Sequence, residues 1–503
     1  MFTDRDVSRA IAEFKQNKSP GVDRISSTYA LALKDIVSKP LAYIFNMSLG
    51  KNEIPLDWKK ANVTPIFKKG DRSNIANYRP VSLTVMFCKT MERIVKRNIE
   101  NFLISNNIIR NSQHGFTKGR SCLSNLLVYQ DSIMTMIEEG SAVDVVYLDL
   151  QKAFDKVPHD KLMKKVRDIG ISGNLADWIE NWLKDRRQRV VIGDAHSEWG
   201  EVSSGVPQGS ILGPLLFTIF INDLDKNLQN MVIKFADDTK IWGKVNNAKD
   251  VEKMQEDLRV LEVWSDENMM PFNVSKCKVI HIGSKNSKAK YFLKGQQITE
   301  STEEKDLGVI FTESFKPSGN CNKASKSAIK IVGLIRRNIC NKTEEEMLIL
   351  YKTLVRPILD YCIPVCRPYL KKDIIKLERV QKKYTKMITG CKKLTYMQRL
   401  DKLNLTTLEE RHHRADMIQV FKVLNDRSQV FPVDFLKLSD RLGRRNSLKL
   451  YKKRYCVELC KQSFTSRVVD EWNKLPDKVV LSVDVNHFKN SFDCLMREVR
   501  GQT

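Results

Sequence analysis

A chain of 503 residues is longer than one hydrophobic core normally supports, so two or more packed units are expected, and 42% hydrophobic with 29% charged residues excludes general disorder. A formal net charge of +25 calls for a polyanionic partner and says nothing about fold. The excess is uneven: residues 1–320 hold 46 basic and 40 acidic residues and residues 321–503 hold 39 and 20, which makes the last third the polyanion-seeking part.

Asp4, Arg5 and Asp6 follow almost directly on Met1, so no signal pattern opens the chain. The stretches Lys18–Asp23 and Lys68–Arg72 are turn-rich, and Met91–Leu103 has helical periodicity. Val143–Leu150 is β-branched, aromatic and short enough for a buried strand, and Asp149 lies at its end. Leu175, Trp178, Ile179, Trp182 and Leu183 recur at helical spacing, and Arg189–Ile192 is a strand turning at Gly193-Asp194. Val202–Asn222 is the longest run without a formal charge. Its apolar part, Ile211–Ile221, falls far short of the roughly 20 residues of a spanning helix, so no membrane partner is expected.

Met231–Phe235 and Lys240–Trp242 are strand-like and separated only by Ala236-Asp237-Asp238-Thr239, a tight hairpin with two acids at its tip. Beyond about residue 320 the pattern is almost wholly helical, with breaks at Pro357, Pro364 and Pro368. The expected architecture is α+β: antiparallel strands backed by helices, then a basic α-helical tail. The eleven cysteines form no disulfide-like framework and are expected reduced; Cys362 with Cys366, and Cys456 with Cys460, are read as packing residues, not metal ligands.

An acid at a strand end or hairpin tip is, taken singly, most often a turn-former facing water. Asp149, Asp237 and Asp238 differ in that each follows an apolar run suited to a buried strand, and uncompensated carboxylates delivered together from one sheet call for a cation. Nucleotidyl transfer needs that arrangement. Two divalent ions about 4 Å apart activate the attacking hydroxyl and neutralise charge on the phosphoryl oxygens, and magnesium asks the protein for only a few hard oxygen ligands.

Tyr147–Val157, Ser204–Pro214 and Phe235–Asp238 resemble motifs A, B and C of reverse transcriptases, in the right order. Asn77–Leu83 resembles the fingers motif, Gln113–Ser121 the segment after it, Asn273–Lys278 motif D, and Asp306–Val309 the strand turn beyond. The likeness covers roughly residues 15 to 312. Leu377–Gly390, Arg399–Leu405 and Phe464–Pro476 look like the region after the polymerase in jockey-like LINE elements, so the group resembled is that of non-LTR retrotransposons.

The resemblance implies a right-hand polymerase: fingers with the start of the palm at 1–142, palm at 143–312, a helical thumb-like region at 313–400 and a basic C-terminal extension at 401–503. It implies RNA-directed DNA synthesis, with an RNA template, a DNA primer or target, deoxynucleoside triphosphates (dNTPs), and two Mg2+ ions for which Mn2+ can substitute. A nuclear site of action follows by family analogy; the oligomeric state stays open.

Residue by residue, Asp149, Asp237 and Asp238 match the metal-binding acids. Phe154 matches the bulky residue that excludes a 2′-hydroxyl. Gln208 and Gly209 match the loop lining the incoming nucleotide, where glycine permits close approach. Arg79, with Lys68 or Lys69, matches the cations that grip the triphosphate. Lys276 matches the motif D lysine that donates a proton to pyrophosphate; a solvated surface lysine is its alternative. Asp155 is read as a local structural acid, and turn residues are the alternative reading of Gly205 and Gly213.

Complete elements of this group resemble an endonuclease joined before the polymerase, and the 14 or so residues ahead of the likeness leave no space for one, so a truncated reading frame is expected. Ser19–Arg24 departs from the commoner Ser-Pro-Gly-Pro-Asp-Gly pattern of the fingers loop. Two rival readings remain: a catalytically silent nucleic-acid-binding remnant, and a group II intron-type enzyme, against which the tail segments argue.

Overall fold

The computed structural model describes residues 1–425, 430–432, 434–440, 446–499 and 501. Its strands are β1 (Lys60–Phe67), β2 (Tyr78–Thr84), β3 (Val143–Leu148), β4 (Arg186–Ile192), β5 (Ala195–His196), β6 (Gly200–Val202), β7 (Met231–Phe235), β8 (Asp238–Lys244), β9 (Lys278–Ile282), β10 (Phe292–Leu293), β11 (Gln296–Gln297), β12 (Thr299–Glu300), β13 (Glu303–Asp306) and β14 (Val309–Thr312). One sheet has the order β2-β1-β4-β5 with β6 on β4; the second has the order β12-β9-β3-β8-β7. Hairpins β10–β11 and β13–β14 stand apart.

Sequence pattern explains why β3 is central. Its alternate residues Val146 and Leu148 enter one apolar core, formed with the helices Met86–Ser105, His159–Asp168, Gly173–Leu183 and Gly213–Phe220. Val143 and Val145 enter another, on the opposite face. A strand covered on both sides is apolar throughout instead of alternating with polar residues.

Asp144 interrupts that run and is fully buried, and its carboxylate accepts from Tyr291 Oη (2.7 Å) and Asn286 Nδ2 (2.7 Å) and meets His281 Nδ1 at 2.7 Å. A buried charge so satisfied is tolerated where a bare one is not.

The second core does not stop at the sheet. It runs from Val143, Val145, Trp242, Ile280 and Ile282 through the Cys122–Glu138 helix to Phe464, Val468, Trp472 and Phe488 near the C-terminus. Polar contacts seal the same junction: Thr465 Oγ1 donates to Asp131 Oδ1 (2.6 Å), Gln130 Nε2 to Val365 O (2.9 Å), and the Val457 amide to Glu138 (3.1 Å). The described residues after 400 therefore share a core with the β3 sheet. A third core joins the Ser318–Asn338, Glu344–Leu350 and Lys371–Thr385 helices into the expected helical region.

Several expectations need correction. The sheets are mixed, because β1 pairs β4 and β9 pairs β12 in parallel. Residues 186–202 lie within the segment expected to be palm, yet β4 and β6 join the first sheet, since β1 offers β4 a free edge. The acidic hairpin is tighter than four residues: Asp238 already opens β8, paired with Phe235, so only Ala236 and Asp237 turn. Cys362, Cys366 and Cys460 are buried as expected, but Cys456 is exposed, because the chain from 451 to 454 leading into it runs over the surface. Among the described residues no helix is long and apolar enough to cross a membrane.

Candidate active site

β3 and β8 run antiparallel with Leu148 opposite Thr239, and one further step of that register sets Asp149 against Asp238. Asp237 stands at the turn from β7 into β8. Three acids thus meet at one end of two central strands, 88 residues apart in the chain between the first and second.

Their electrostatics are those of a crowded anionic site. Burial, followed by repulsion from Asp149, raises the Asp237 carboxyl, while Arg79 and Lys68 draw it back down. The Asp238 side chain keeps solvent-facing surface, yet desolvation of its carboxyl and repulsion from Asp237, Asp306 and Asp149 push it up to about 7, against the pull of Lys240. Lys276 Nζ lies 3.2 Å from Asp149 Oδ2. That residue ends a short helical turn, Val274–Lys276, tied to the acid's own backbone by the Asn273 amide donating to Asp149 O (2.7 Å).

Among the described residues no group of three or more His, Cys, Asp or Glu is gathered as a finished metal cage. A lysine, Lys276, engages one of the three acids. The donor chemistry nonetheless fits a hard divalent ion: carboxylate oxygens only, two of them held above their ordinary pKa by burial and by repulsion from the neighbouring acids.

Around the acids stand the other expected residues. Phe154, on the short helix Ala153–Lys156, stacks on Phe217 (centroids 4.4 Å apart, 18°) and meets Phe116 edge-on at 6.0 Å. The Val206 amide donates to Phe154 O (2.8 Å), which fastens motif A to motif B. Gln208 Nε2 donates to Asp155 Oδ1 (3.1 Å), so Asp155 orients Gln208.

Gly209 makes its close approach to protein: at φ +134°, a Cβ there would meet Ser82 O at 2.2 Å, and the Ser82 amide donates to Gln208 O (2.7 Å). Of the two lysines on the β1–β2 hairpin, Lys68 is the one whose charge lowers both Asp237 and Asp155. Lys68, Lys69 and Arg79 are all exposed.

A family model described as reverse transcriptase (RNA-dependent DNA polymerase) matches residues 66–333, more than half of the chain. The chain belongs to that family. It is 26% identical over 427 residues to a Drosophila melanogaster protein described as a probable RNA-directed DNA polymerase from transposon BS, covering 81% of this chain and 47% of that one. It is 24% identical over 399 residues to the RNA-directed DNA polymerase from mobile element jockey of the same species, covering 76% and 43%. The chain spans about half the length of the curated relatives it matches. These likenesses are of the jockey-like, non-LTR kind.

The two sheets and the helices packed on them form a right-hand polymerase fold, with residues 186–202 in the same sheet as β1 and β2. Three buried groups near the site had been assigned no role from sequence. Glu92, fully buried on the Met86–Ser105 helix, accepts from the Ile211 (2.7 Å) and Leu212 (3.2 Å) amides and so holds the motif B loop. An acid amid Met91, Ile94, Val95 and Ile99 on an apolar helix face was the available signal.

Lys240 is buried in an ion pair with Asp306, donates to Asn125 Oδ1 (2.9 Å) and lies over the Tyr129 ring (4.5 Å). Its position two residues past Asp238, on the strand's inward register, was the hint there. The third group is Gln113.

Proposed function

We propose that this reverse transcriptase extends a DNA primer on an RNA template from dNTPs. The observation that carries the reading is the convergence of Asp149, Asp237 and Asp238 at one end of β3 and β8, mutually repelling and faced by the fingers cations Lys68 and Arg79. An anionic well opposite exposed cations suits a triphosphate that arrives with divalent metal.

Asp149, Asp237 and Asp238 would hold two Mg2+ ions, with Mn2+ as a substitute. Bound there, such ions supply activation of the primer 3′-hydroxyl and neutralise charge on the phosphoryl and leaving oxygens. Lys68 and Arg79 would grip the triphosphate through charge-assisted hydrogen bonds. Phe154, its ring fixed by Phe217, would stand under the sugar and clash with a 2′-hydroxyl.

Gln208, oriented by Asp155, would line the base-sugar site. Lys276, with its side chain about two-thirds exposed, would donate a proton to the leaving pyrophosphate. The basic residues after 320 would track the nucleic-acid backbone, and the place of action is the nucleus.

Primer extension on poly(rA)·oligo(dT) with dTTP and Mg2+ tests this. Template-dependent product is expected, and none from Asp237→Ala, Asp238→Ala. Wild-type product no greater than that control's would sink the reading and leave salt-dependent nucleic-acid binding as the activity.

A further inference from the structure

Residues 112–114 run along the free edge of β7. The Lys234 amide donates to Ser112 O (2.7 Å), the His114 amide donates to Lys234 O (2.8 Å), and Gln113 bridges Lys234 in parallel. This short added strand brings the Gln113 side chain, fully buried, to the turn that follows β7.

The turn needs holding. Ala236 sits at φ +57°, in the left-handed region that a residue with a Cβ adopts reluctantly. Gln113 Oε1 accepts from the Ala236 amide (3.0 Å) and the Gly115 amide (2.7 Å), and Gln113 Nε2 donates to Ala236 O at 3.5 Å. Gly115 lets the two backbones close up: a Cβ there would lie 2.2 Å from the Ala236 nitrogen. From the other side Asn125 Nδ2 donates to Lys234 O (3.1 Å). The next two residues are Asp237 and Asp238.

We propose that Gln113 is a positioning residue whose carboxamide clasps Ala236 and keeps the turn left-handed, so that Asp237 and Asp238 point the way the reaction needs. This rests on the polymerase reading above. The side chain reaches no substrate; it acts through the backbone of one alanine. A leucine at 113 fills similar volume and removes both halves of the clasp. Glycine at 236 accepts positive φ without strain and lessens the need for one.

The experiment compares wild type, Gln113→Leu and the double variant Gln113→Leu, Ala236→Gly in steady-state primer extension, with melting temperature and Mn2+ binding by water-proton relaxation measured on the same samples. In Gln113→Leu, kcat is expected to fall about tenfold to a hundredfold with KM for dTTP within about threefold, since misdirected groups lose rate more than binding. Mn2+ affinity is expected to fall about fivefold or more, and Ala236→Gly to restore much of both.

A kcat within twofold of wild type, or a loss that tracks melting temperature and is not relieved by Ala236→Gly, overturns the proposal. Should wild type make no product, the polymerase reading falls. The clasp then stands or falls on the Mn2+ series: weaker binding in Gln113→Leu with recovery in the double variant supports it, and unchanged binding refutes it.

Discussion

On the β1–β2 hairpin Lys68, Lys69, Arg72 and Arg79 stand exposed, whereas in the sheet built around β3 and β8 Asp144, Lys234 and Lys240 are buried, each with identified partners. Lys234 Nζ donates to Asp225 (2.8 Å) and to Ile221 O (3.0 Å); Lys240 pairs with Asp306; Asp144 gathers Tyr291, Asn286 and His281. The contrast suits the roles proposed above for the two sheets. Carboxylates that share metal need fixed directions, which buried and satisfied polar networks supply at the cost of desolvation. Cations that meet a diffusing triphosphate keep their hydration and their freedom until it arrives.

The largest test of that contrast is removal of one acid: Asp149→Asn should lower primer extension about a thousand-fold or more, with an unchanged circular dichroism spectrum. Residual activity within tenfold would mean that the three acids do not act together. Next comes the palm's buried pair. Lys240→Met leaves Asp306 uncompensated and should destabilise by about 3 to 5 kcal/mol, whereas Lys240→Met with Asp306→Leu should recover much of that in thermal melts. Equal loss in single and double variants would break the argument that compensation matters.

Loosening the sugar contact by Phe154→Val should raise ribonucleotide over deoxynucleotide incorporation about tenfold or more, read by competition between rUTP and dTTP. On the fingers side, Lys68→Ala should raise KM for dTTP about tenfold with little change in melting temperature, and Lys69→Ala less than about threefold. Reversal of that order would move the triphosphate contact along the hairpin.

The smallest effect concerns pH. Burial, then Arg120 and Lys240, holds His114 neutral down to about 3, and burial with Arg367 does the same for His412 to about 4. Above pH 6.5 neither state of the chain binds these protons; below it the unfolded chain does and the folded one refuses. The histidines' contribution to stability should therefore decline as pH falls from about 6.5 towards 4, against the opposite contribution of the raised Asp238 carboxyl, and His114→Gln should remove part of the histidine share in melting experiments.

The strand ends carrying Asp149, Asp237 and Asp238 were legible in sequence because a run of apolar β-formers ending in an acid is a local pattern. So were the Met86–Ser105 and Gly173–Leu183 helices, from their periodicity. The parallel pairing of β1 with β4 was not legible, since residues 60–63 and 187–190 meet only through tertiary packing.

Gln113 illustrates the limit most sharply. It lies in a recognisable segment, yet its partner is the backbone of Ala236, 123 residues away, and backbone partners leave no trace in side-chain identity. Cys456 errs the other way: it reads as a packing residue beside Cys460, but the helix begins only at Glu458 and Cys456 is exposed.

The core that joins the back of the β3 sheet to Phe464, Trp472 and Phe488 bears on how the chain can be dissected. A cut near residue 400 would strip the outer layer from the Cys122–Glu138 helix and lay bare apolar surface one helix away from β3. The last hundred residues would then be missed first as lost solubility, before any lost affinity for nucleic acid could be measured.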